Sequence, residues 1–461
     1  MIKHLCAGGH RVEVFFDLGW SQGPSRKALE EALEKTPGLT DGYFPRRKDF
    51  WRPFIFSARE ILSYSSYLSR EGQSDFYLYR WEQYLPRLIQ WAVKLRQFRE
   101  FLATQQTQSC LRAFEKRVPP DATIIRWLKE NHPEVVVASP VNMRFSEEVE
   151  YIKAAKEMGI PTVIPVLSWD NPTTKGLFHI IPDLILVWNQ TQSEEVARIH
   201  RAPHEKILIT GAPFFDKWFQ PWQAVTSRES FCRKVGLDPA KPFVVYLGSS
   251  ANVAQDETWL VRELVQHLRK SPSTEVRELQ VLIRPHPSNA RVHQRLSEEG
   301  ILVWPRPPFE FEFAVPQTES AVKDFYCTLK YSLAALGLNT SGMIDAVVVD
   351  KPCIAILAER YNSTQLQSAH FKTLLDADVF EIVRSSEESV ERITTLLKGV
   401  DPKRKNRRDF LHNFVRPRGL ERPAGQVACQ AIELVSAGKN GPEINLEIDR
   451  REMEMKGASL H

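Results

Sequence analysis

The sequence predicts an α/β protein made of two consecutive doubly wound domains, each a parallel sheet with helices on both faces. From residue 120 onward, short strands that are apolar throughout alternate with helices, a pattern typical of parallel sheets buried on both faces. The alternation stops over residues 214–241, which are rich in tryptophan and proline, and then restarts. The 461 residues suffice for two large domains, and 43% hydrophobic with 26% charged residues excludes a disordered or coiled-coil chain.

The predicted N-terminal domain, residues 1–220, opens in an unusual way. Residues 3–16 suggest the end of a helix, a turn at Gly8 and Gly9, and a strand containing Val12 and Val14. An α/β domain normally begins with a buried strand ahead of such a helix. Either this domain is short, or its start is assigned too late and one strand and one loop are missing.

Residues 45–118 differ in composition from the rest of the chain and predict a helical insertion in the N-terminal domain. They carry many aromatic residues with arginine and lysine between them. Such a mixture can stack on bases or sugars, although aromatics more often form a core from which arginines reach outward. We expect the insertion to shape an acceptor site.

The remaining elements keep to the alternation in order. In the N-terminal domain we expect helices at 124–131, 146–158 and 193–200 and strands at 135–138, 162–167, 184–188 and 207–209. After a linker at 221–242, the C-terminal domain at 243–420 should hold strands at 243–247, 281–283, 302–304, 334–338, 353–357 and 380–383. Its helices are expected at 256–269, 341–349 and 387–397, and residues 421–461 are expected to form a tail. Two such domains imply a cleft between them, with sites at the carboxyl ends of strands.

Charge and cysteine content exclude several classes of protein. Lysine plus arginine number 61 and aspartate plus glutamate 57, a balance that argues against a nucleic-acid partner. None of the six cysteines forms a Cys-x-x-Cys pair, so neither a zinc ribbon nor a disulfide scaffold is indicated. No apolar run approaches the roughly 18–20 residues that span a bilayer, and the first residues lack a secretory signal. We therefore expect a cytoplasmic protein.

One strongly basic run stands out, at residues 403–408. Its default interpretation is a solvated helix face. The alternative is peripheral docking on anionic lipid headgroups at the inner membrane face.

The strongest candidate site is the segment Asn339, Thr340, Ser341 and Gly342, which ends a strand and begins a helix. A helix start leaves about four backbone N–H groups free and carries partial positive charge, so small residues there can cradle a phosphate. Asp345, one helical turn later, is placed to accept hydrogen bonds from a ribose diol. The alternative is that Thr340 or Ser341 merely caps the helix.

Three further segments of the C-terminal domain come directly after predicted strands. Arg284 and His286 flank a proline, and two prolines stiffen this loop, so that the histidine can stabilise phosphate charge or transfer a proton. Ser249 and Ser250 form a Gly-Ser turn able to contact pyrophosphate, although it lacks the ATPase P-loop pattern. Glu359 is placed to touch the hydroxyls of a sugar donor, or lies in a surface loop.

In the N-terminal domain, one polar loop comes after the strand at 162–167. Asp170 is the candidate general base for an acceptor hydroxyl, with Trp169, Asn171 and Lys175 around it on the acceptor side. The alternative is an Asp-Asn turn that caps a helix. No metal site and no cofactor are predicted; the nucleotide-sugar would be a substrate.

Taken together, the two-domain order, the Arg-Pro-His-Pro loop and the Asn-Thr-Ser-Gly turn resemble the GT-B superfamily of nucleotide-sugar glycosyltransferases. Within it, residues 120–420 are similar to non-hydrolysing UDP-N-acetylglucosamine 2-epimerases, CDP-glycerol glycerophosphotransferases and a group of bacterial proteins of surface carbohydrate synthesis. The resemblance implies donor phosphates on His286, Thr340 and Ser341, ribose on Asp345, and the acceptor in the N-terminal domain.

The function that the resemblance implies is transfer of a sugar from a nucleotide-sugar to a cell-surface glycan or lipid-linked acceptor. We expect this reaction to be metal-independent and inverting, with helix dipole, Arg284 and His286 supplying the positive field. Alternatives on the same fold are a glycerophosphotransferase, a nucleotide-sugar epimerase, or a catalytically inactive sugar-nucleotide binder. The epimerases carry Asp-Ser-Gly-Gly at the phosphate turn, where this chain has Asn-Thr-Ser-Gly, which weakens the epimerase alternative.

Overall fold

The computed structural model describes residues 1–16, 26–70, 74–220, 226–305 and 318–458, the last four by their backbone. The chain divides into two compact units. Unit 1 comprises Met1–Asp17, Thr36–Asp216 and His412–His461, and unit 2 comprises Leu18–Lys35 and Lys217–Leu411. In the described part of the chain, no helix is long and apolar enough to cross a membrane.

All strand pairs of the described residues are parallel, as the sequence predicts. The strands are β1 (Val12–Phe16), β2 (Leu39–Tyr43), β3 (Val136–Val137), β4 (Thr162–Pro165), β5 (Leu184–Val187), β6 (Ile207–Ile209), β7 (Phe243–Leu247), β8 (Gln280–Arg284), β9 (Leu302–Val303), β10 (Ala335–Gly337), β11 (Cys353–Ile356) and β12 (Glu381–Val383).

The described helices alternate with these strands from β3 onward. They are α1 (Ile2–Ala7), α2 (Arg26–Lys35), α3 (Arg52–Leu68), α4 (Asp75–Glu82), α5 (Arg87–Ala92), α6 (Arg96–Leu102), α7 (Gln105–Arg117), α8 (Ala122–Asn131), α9 (Glu148–Glu157), α10 (Asn171–Thr174), α11 (Gln190–His200), α12 (Arg228–Val235), α13 (Thr258–Lys270), α14 (Thr274–Arg277), α15 (Ala290–Glu298), α16 (Glu319–Tyr331), α17 (Ser341–Val348), α18 (Ala369–Asp376), α19 (Ser386–Leu397), α20 (Arg404–Phe410), α21 (Ala424–Ser436) and α22 (Gly441–Ala458). Short 3₁₀ turns cover His204–Lys206, Pro213–Phe219, Pro287–Asn289 and Glu359–Thr364.

Unit 1 contains a four-stranded sheet in the order β3-β4-β5-β6 and a separate parallel pair, β1-β2. Residues along the four strands alternate between two apolar clusters because strand side chains point to opposite faces. Leu184 and Leu186 pack with α21 and α22, whereas Ile185 and Val187 pack with α9 and α11. Both faces are therefore covered, which confirms the doubly wound prediction for this sheet.

The helical insertion is present as α3–α7, in unit 1. Its aromatic residues form a core of their own that includes Tyr64, Tyr67, Tyr77 and Trp81. The side chains of Leu88 and Trp91 on α5 remain exposed, at 82% and 69%. Many of the aromatic residues of the insertion thus form a core, the commoner of the two interpretations of their sequence pattern.

Unit 2 contains a six-stranded sheet in the order β12-β11-β10-β7-β8-β9. One core cluster of its described residues joins β7, β8, β10 and β11 to helices α13, α15 and α19. A second cluster packs α12 and α16 on the opposite side, around Phe231 and Phe243. The helix α2 also belongs to this unit, where Lys35 lies 2.8 Å from Glu319 at the start of α16.

The two units differ from the predicted domains in several places. Residues 217–220, expected in the N-terminal domain, belong to unit 2, and residues 412–420, expected in the C-terminal domain, belong to unit 1. Residues 424–458, expected as a tail, form α21 and α22 and belong to unit 1. Residues 26–35, expected in the N-terminal domain, belong to unit 2. The linker residues 221–225 and the last three residues of the expected tail lie outside the described residues.

Candidate functional site

The carboxyl edge of the unit 2 sheet has one topological switch point, between β7 and β10. The chain runs from β7 through β8 to β9 on one side of β7, then returns to β10, β11 and β12 on its other side. The connections leaving β7 and β10 therefore diverge, and the crevice outside such a point is where open α/β sheets bind ligands. The turns that flank it are the Gly-Ser turn and the Asn-Thr-Ser-Gly turn.

Two glycines let these turns come close together. A Cβ atom at Gly337 would lie 3.0 Å from the carbonyl oxygen of Leu247, too close for β10 to keep its place beside β7. A Cβ atom at Gly342 would lie 3.3 Å from Leu247 Cδ1. The absence of side chains at these two positions therefore brings the first turn of α17 against the end of β7.

At the start of α17, the side chain of the N-cap residue takes no part in capping the helix. Thr340 is the N-cap residue, with extended backbone at φ −147°, but its side chain makes no capping hydrogen bond. Ser341, the first residue of the helix, is exposed. Asn339 is buried and donates from Nδ2 to the carbonyl of Thr364 at 2.8 Å, so it fixes the turn. The hydroxyl of Thr340 and the positive end of the helix can thus serve a bound anion.

His286 comes after β8 at the same edge and is held by its own loop. The Ser288 backbone N–H donates to His286 Nδ1 at 3.1 Å, and the Ser288 hydroxyl lies 2.9 Å from the same nitrogen. Because Nδ1 accepts, the neutral ring carries its proton on Nε2. Burial lowers the pKa of His286, against the opposing charge of Glu257. At neutral pH this imidazole is therefore an uncharged donor.

The Gly-Ser turn lies against the His286 loop and rests on a buried carboxylate that the sequence did not single out. A Cβ atom at Gly248 would lie 3.1 Å from the His286 backbone nitrogen. Ser249 is fully buried, and both its N–H and its hydroxyl donate to Glu257. Ser249 therefore supports the turn, while Ser250 is half-buried at its surface.

Glu257 also accepts from the Tyr246 hydroxyl at 2.8 Å and lies 3.5 Å from His293 Nε2. Glu257 and His293 are both fully buried. A glutamate directly before a helix start is the one sequence signal that could have pointed to this group, and nothing in the sequence pairs it with His293.

Arg284 differs from its predicted role in phosphate binding. It is 5% exposed, and its guanidinium donates to Asp324 Oδ2 at 2.7 Å. The Trp304 indole donates to the same oxygen at 2.9 Å. The side chain of this last residue of β8 faces α16, so its charge neutralises a buried carboxylate. We therefore leave Arg284 out of the donor site.

Asp345 differs from its predicted role as well. Its carboxyl is 5% exposed and accepts from the Trp218 indole N–H at 2.6 Å. Burial raises the pKa of Asp345, and the charge of Lys217 opposes this shift. The carboxyl holds the Pro213–Phe219 turn and does not face a ribose. Glu359 is exposed at the start of the turn after β11.

In unit 1, the loop after β4 brings together the predicted acceptor-side residues. Asp170 Oδ1 accepts from the Ser168 hydroxyl at 2.6 Å, and Oδ2 accepts from the Thr174 hydroxyl at 2.9 Å. Lys175 Nζ lies 3.2 Å from Oδ2. The side chain of Asp170 is 22% exposed, whereas Trp169 and Asn171 are buried. Asp170 and Lys175 are thus the members of this set that a substrate can reach.

A cavity of about 90 Å³ adjoins this loop. It is lined by Arg80, Trp81, Tyr84, Asn142, Met143, Arg144, Thr174 and Lys175. The insertion, the loop after β3 and the loop after β4 each supply part of the wall, all within unit 1. The insertion thus lines a cavity of unit 1, and the acceptor site expected there stays a prediction.

Within the described ranges, no cluster of three or more His, Cys, Asp or Glu side chains is arranged to hold a metal ion. The cleft expected between the two domains stays a prediction.

No protein-family model and no curated protein matches this sequence. A candidate UDP-N-acetylglucosamine 2-epimerase from Listeria monocytogenes matches in structure with 11% identity, a TM-score of 0.47, and coverage of 76% of this chain and 88% of that one. The UDP-GlcNAc 2-epimerase from Neisseria meningitidis, bound to UDP-GlcNAc, gives 12% identity, a TM-score of 0.45, and coverage of 69% and 80%.

The wall teichoic acid polymerase TagF, soaked with CDPG, matches with 11% identity, a TM-score of 0.39, and coverage of 69% of this chain and 73% of that one. These neighbours belong to the two enzyme groups that the sequence resembles. Identities of 11–12% and TM-scores of 0.39–0.47 limit the likeness to the fold of the chain.

Proposed function

We propose that the protein is a glycosyltransferase that moves a sugar from a nucleotide-sugar donor to a cell-surface glycan or lipid-linked acceptor in bacteria. The observation that carries this proposal is the switch point of the unit 2 sheet. There a Gly-Ser turn and an uncapped Asn-Thr-Ser-Gly turn meet at the start of a helix. Small polar turns at such a point are suited to a nucleoside diphosphate.

The donor diphosphate would lie at the first turn of α17. Its oxygens would accept from the backbone N–H groups there, from the Thr340 hydroxyl and from His286 Nε2. The partial positive charge of the helix start would stabilise the departing nucleoside diphosphate. Metal-independent transfer is part of the proposal, because these donors supply the stabilisation themselves.

The acceptor would bind in unit 1, with Asp170 as the general base. Hydrogen bonds from Ser168 and Thr174 orient its carboxylate. A hydroxyl placed against Asp170 could lose its proton as it attacks the sugar directly, which would invert the anomeric centre. We propose a cytoplasmic protein that meets lipid-linked acceptors by peripheral contact with the inner membrane face.

A binding measurement with paired variants tests the donor site. We expect one or more of UDP, GDP, CDP and dTDP to raise the melting temperature, since a ligand that binds the folded form stabilises it. Thr340→Val removes the hydroxyl at nearly constant volume and should weaken binding by about tenfold to a hundredfold, the equivalent of the roughly 1.5–3 kcal/mol of one hydrogen bond to a charged group. Thr340→Ser keeps the hydroxyl and should bind like the natural protein. Equal affinity in all three proteins would overturn the assignment of the site.

Product analysis then separates the alternatives on this fold. Sugar transfer requires an acceptor and releases a nucleoside diphosphate. Epimerisation of a nucleotide-sugar proceeds without an acceptor, and glycerophosphate transfer from CDP-glycerol releases CMP. Nucleotide binding without turnover in any of these assays would identify an inactive binder and contradict the proposed transfer.

A further inference from the structure

The cavity of unit 1 lies beside the candidate base and has an unusual charge. Arg80, Arg144 and Lys175 line it, together with aromatic and amide side chains, and its lining includes no carboxylate. Lys175 joins the cavity to the candidate base, because its ammonium lies 3.2 Å from Asp170. Three cations therefore line a space that has no carboxylate in its wall, and only the Lys175 ammonium is paired with Asp170.

The two arginines are held by an aromatic side chain. Arg80 Nε donates to the Tyr84 hydroxyl at 2.9 Å, and the Arg144 guanidinium lies 4.8 Å from the centre of the Tyr84 ring. A cation over a ring is attracted to its face but keeps its N–H donors. Both guanidinium groups thus retain donors for a ligand.

The buried carboxyl of Glu60 interacts with the charge of Arg144 but neutralises little of it. Burial raises the pKa of Glu60 to about 7, so this group is partly protonated at neutral pH. Its oxygen Oε1 accepts from the Phe145 backbone N–H at 2.7 Å. Glu60 therefore positions the loop that carries Arg144 and leaves a net positive field in the cavity.

The walls of the cavity are closely packed, so the site is formed in advance of binding. The Gly176 backbone N–H donates to the Asn142 carbonyl at 2.7 Å, and Asn142 Nδ2 donates to the Asn171 carbonyl at 2.8 Å. A Cβ atom at Gly176 would lie 3.2 Å from Trp81 Cη2 and 3.0 Å from the Ser63 hydroxyl. The loop after β4 is thereby fixed against the insertion.

We propose that this cavity binds a phosphate group of the acceptor, held by Arg80, Arg144 and Lys175. Guanidinium groups match the oxygens of phosphate in paired hydrogen bonds, and a cavity of about 90 Å³ suits one such group. Because Lys175 contacts both the cavity and Asp170, a hydroxyl near the bound phosphate would lie beside the base. The binding of the anion stands by itself; its place in the acceptor rests on the proposed function.

The test is calorimetric titration of the full chain at low ionic strength with inorganic phosphate and with a phosphomonoester of a short sugar or polyol. Arg144 is exposed, so Arg144→Met should fold. We expect this substitution to lower the affinity for both ligands at least fivefold. Arg87→Met, an exposed arginine on the neighbouring helix that does not line the cavity, should bind like the natural protein. Arg144→Lys keeps the charge and should bind with intermediate affinity.

The results separate the anion site from its role in the acceptor. Absence of phosphate binding, or an equal loss of affinity in Arg144→Met and Arg87→Met, would overturn the anion site. If the phosphomonoester binds no more tightly than inorganic phosphate, the anion site does not belong to the acceptor. The melting shift with nucleotide, measured on Arg144→Met, should stay as in the natural protein. An unchanged melting shift would show that the donor site of unit 2 is intact even if the anion site in unit 1 is refuted.

Discussion

The burial of the Glu60 carboxyl makes the stability of the protein depend on pH. The side chain is 3% exposed, Oε1 has a backbone donor, and Oε2 has no hydrogen-bond partner among the described residues. Burial raises the pKa of Glu60 to about 7. An unfolded glutamate has a pKa near 4.3, so between about 4.3 and 7 the folded protein binds more protons than the unfolded chain. The free energy of unfolding therefore falls as pH rises through this window.

We predict that Glu60→Gln stabilises the protein much more at pH 8 than at pH 5. Glutamine keeps the acceptor for Phe145 and carries no charge, so it removes a penalty of roughly 3–4 kcal/mol at pH 8. Denaturant unfolding at pH 5, 6, 7 and 8 measures the effect. The exposed Glu130→Gln is the control and should leave the pH profile unchanged. A Glu60→Gln profile parallel to that of the natural protein would show that this carboxyl is ionised throughout.

At the same scale, Arg284 and Asp345 mark the limit of what residue type can predict about the site. The sequence placed both residues at the end of a strand and the start of a helix, where the structure has them. Their side chains, however, are engaged by Asp324 and Trp218, which lie 40 and 127 positions away in the chain. A local pattern identifies a chemical group, but its partners depend on tertiary packing. Thr340 and His286 have mostly local surroundings, and their roles in phosphate binding stay predictions.

Among the elements, the basic run at 403–408 is a helix start tied down by carboxylates. Arg407 is 1% exposed and pairs with Asp350 at 2.9 Å and with Asp401. Lys403 lies 2.6 Å from Asp378. The run is thus not a fully solvated face, because part of its charge is neutralised within unit 2, and its docking on lipid headgroups stays a prediction.

This arrangement predicts that replacing Arg407 lowers the free energy of unfolding more than replacing its neighbour Arg408. Arg407→Met removes the buried guanidinium that Asp350 and Asp401 share and should cost about 1–3 kcal/mol of unfolding free energy. The cost stays below that of a fully buried pair because the two carboxylates are 43% and 22% exposed and Arg404 lies 3.6 Å from Asp350. Arg408 is exposed, and Arg408→Met should change stability by less than about 0.5 kcal/mol. Urea unfolding of both variants measures the contrast. Similar stability in the two would mean that the Arg407 pairs contribute nothing net.

Most elements of the two sheets could be predicted because their strands are buried on both faces. Residues 243–247 and 207–209 were predicted as strands with the bounds that β7 and β6 have. The order of the strands was not predictable, since every buried strand looks alike to a periodicity argument. The switch point between β7 and β10 therefore emerged only with the structure, although the two turns that flank it had been identified.

At the scale of the whole molecule, the two ends of the described chain complete the same unit. Helix α1 packs with α21, and Leu5 belongs to the apolar cluster that α21 and α22 form with strands β4, β5 and β6. When apolar helices come after the last predicted strand, the sequence gives no local sign of which sheet they cover. This is why residues 421–461 were expected as a tail, whereas α21 and α22 close one face of the unit 1 sheet.

If this face depends on α22, a substitution at a buried position of the helix should lower the free energy of unfolding, and one at an exposed position should not. Ile448 is fully buried in the shared cluster, whereas Leu446, two residues earlier, is 73% exposed. Ile448→Ala should cost about 2–5 kcal/mol of unfolding free energy, the range for deleting a large aliphatic side chain from a core, and Leu446→Ala less than about 0.5 kcal/mol.

Hydrogen exchange shows where the stability is lost. We expect faster exchange of the amides of β4–β6 in Ile448→Ala and unchanged exchange in β7 and β8. Equal effects of the two substitutions, or faster exchange confined to α22 itself, would mean that the helix frays without supporting the sheet. The predicted pattern would instead establish residues 441–458 as part of the core that holds the Asp170 loop at the edge of that sheet.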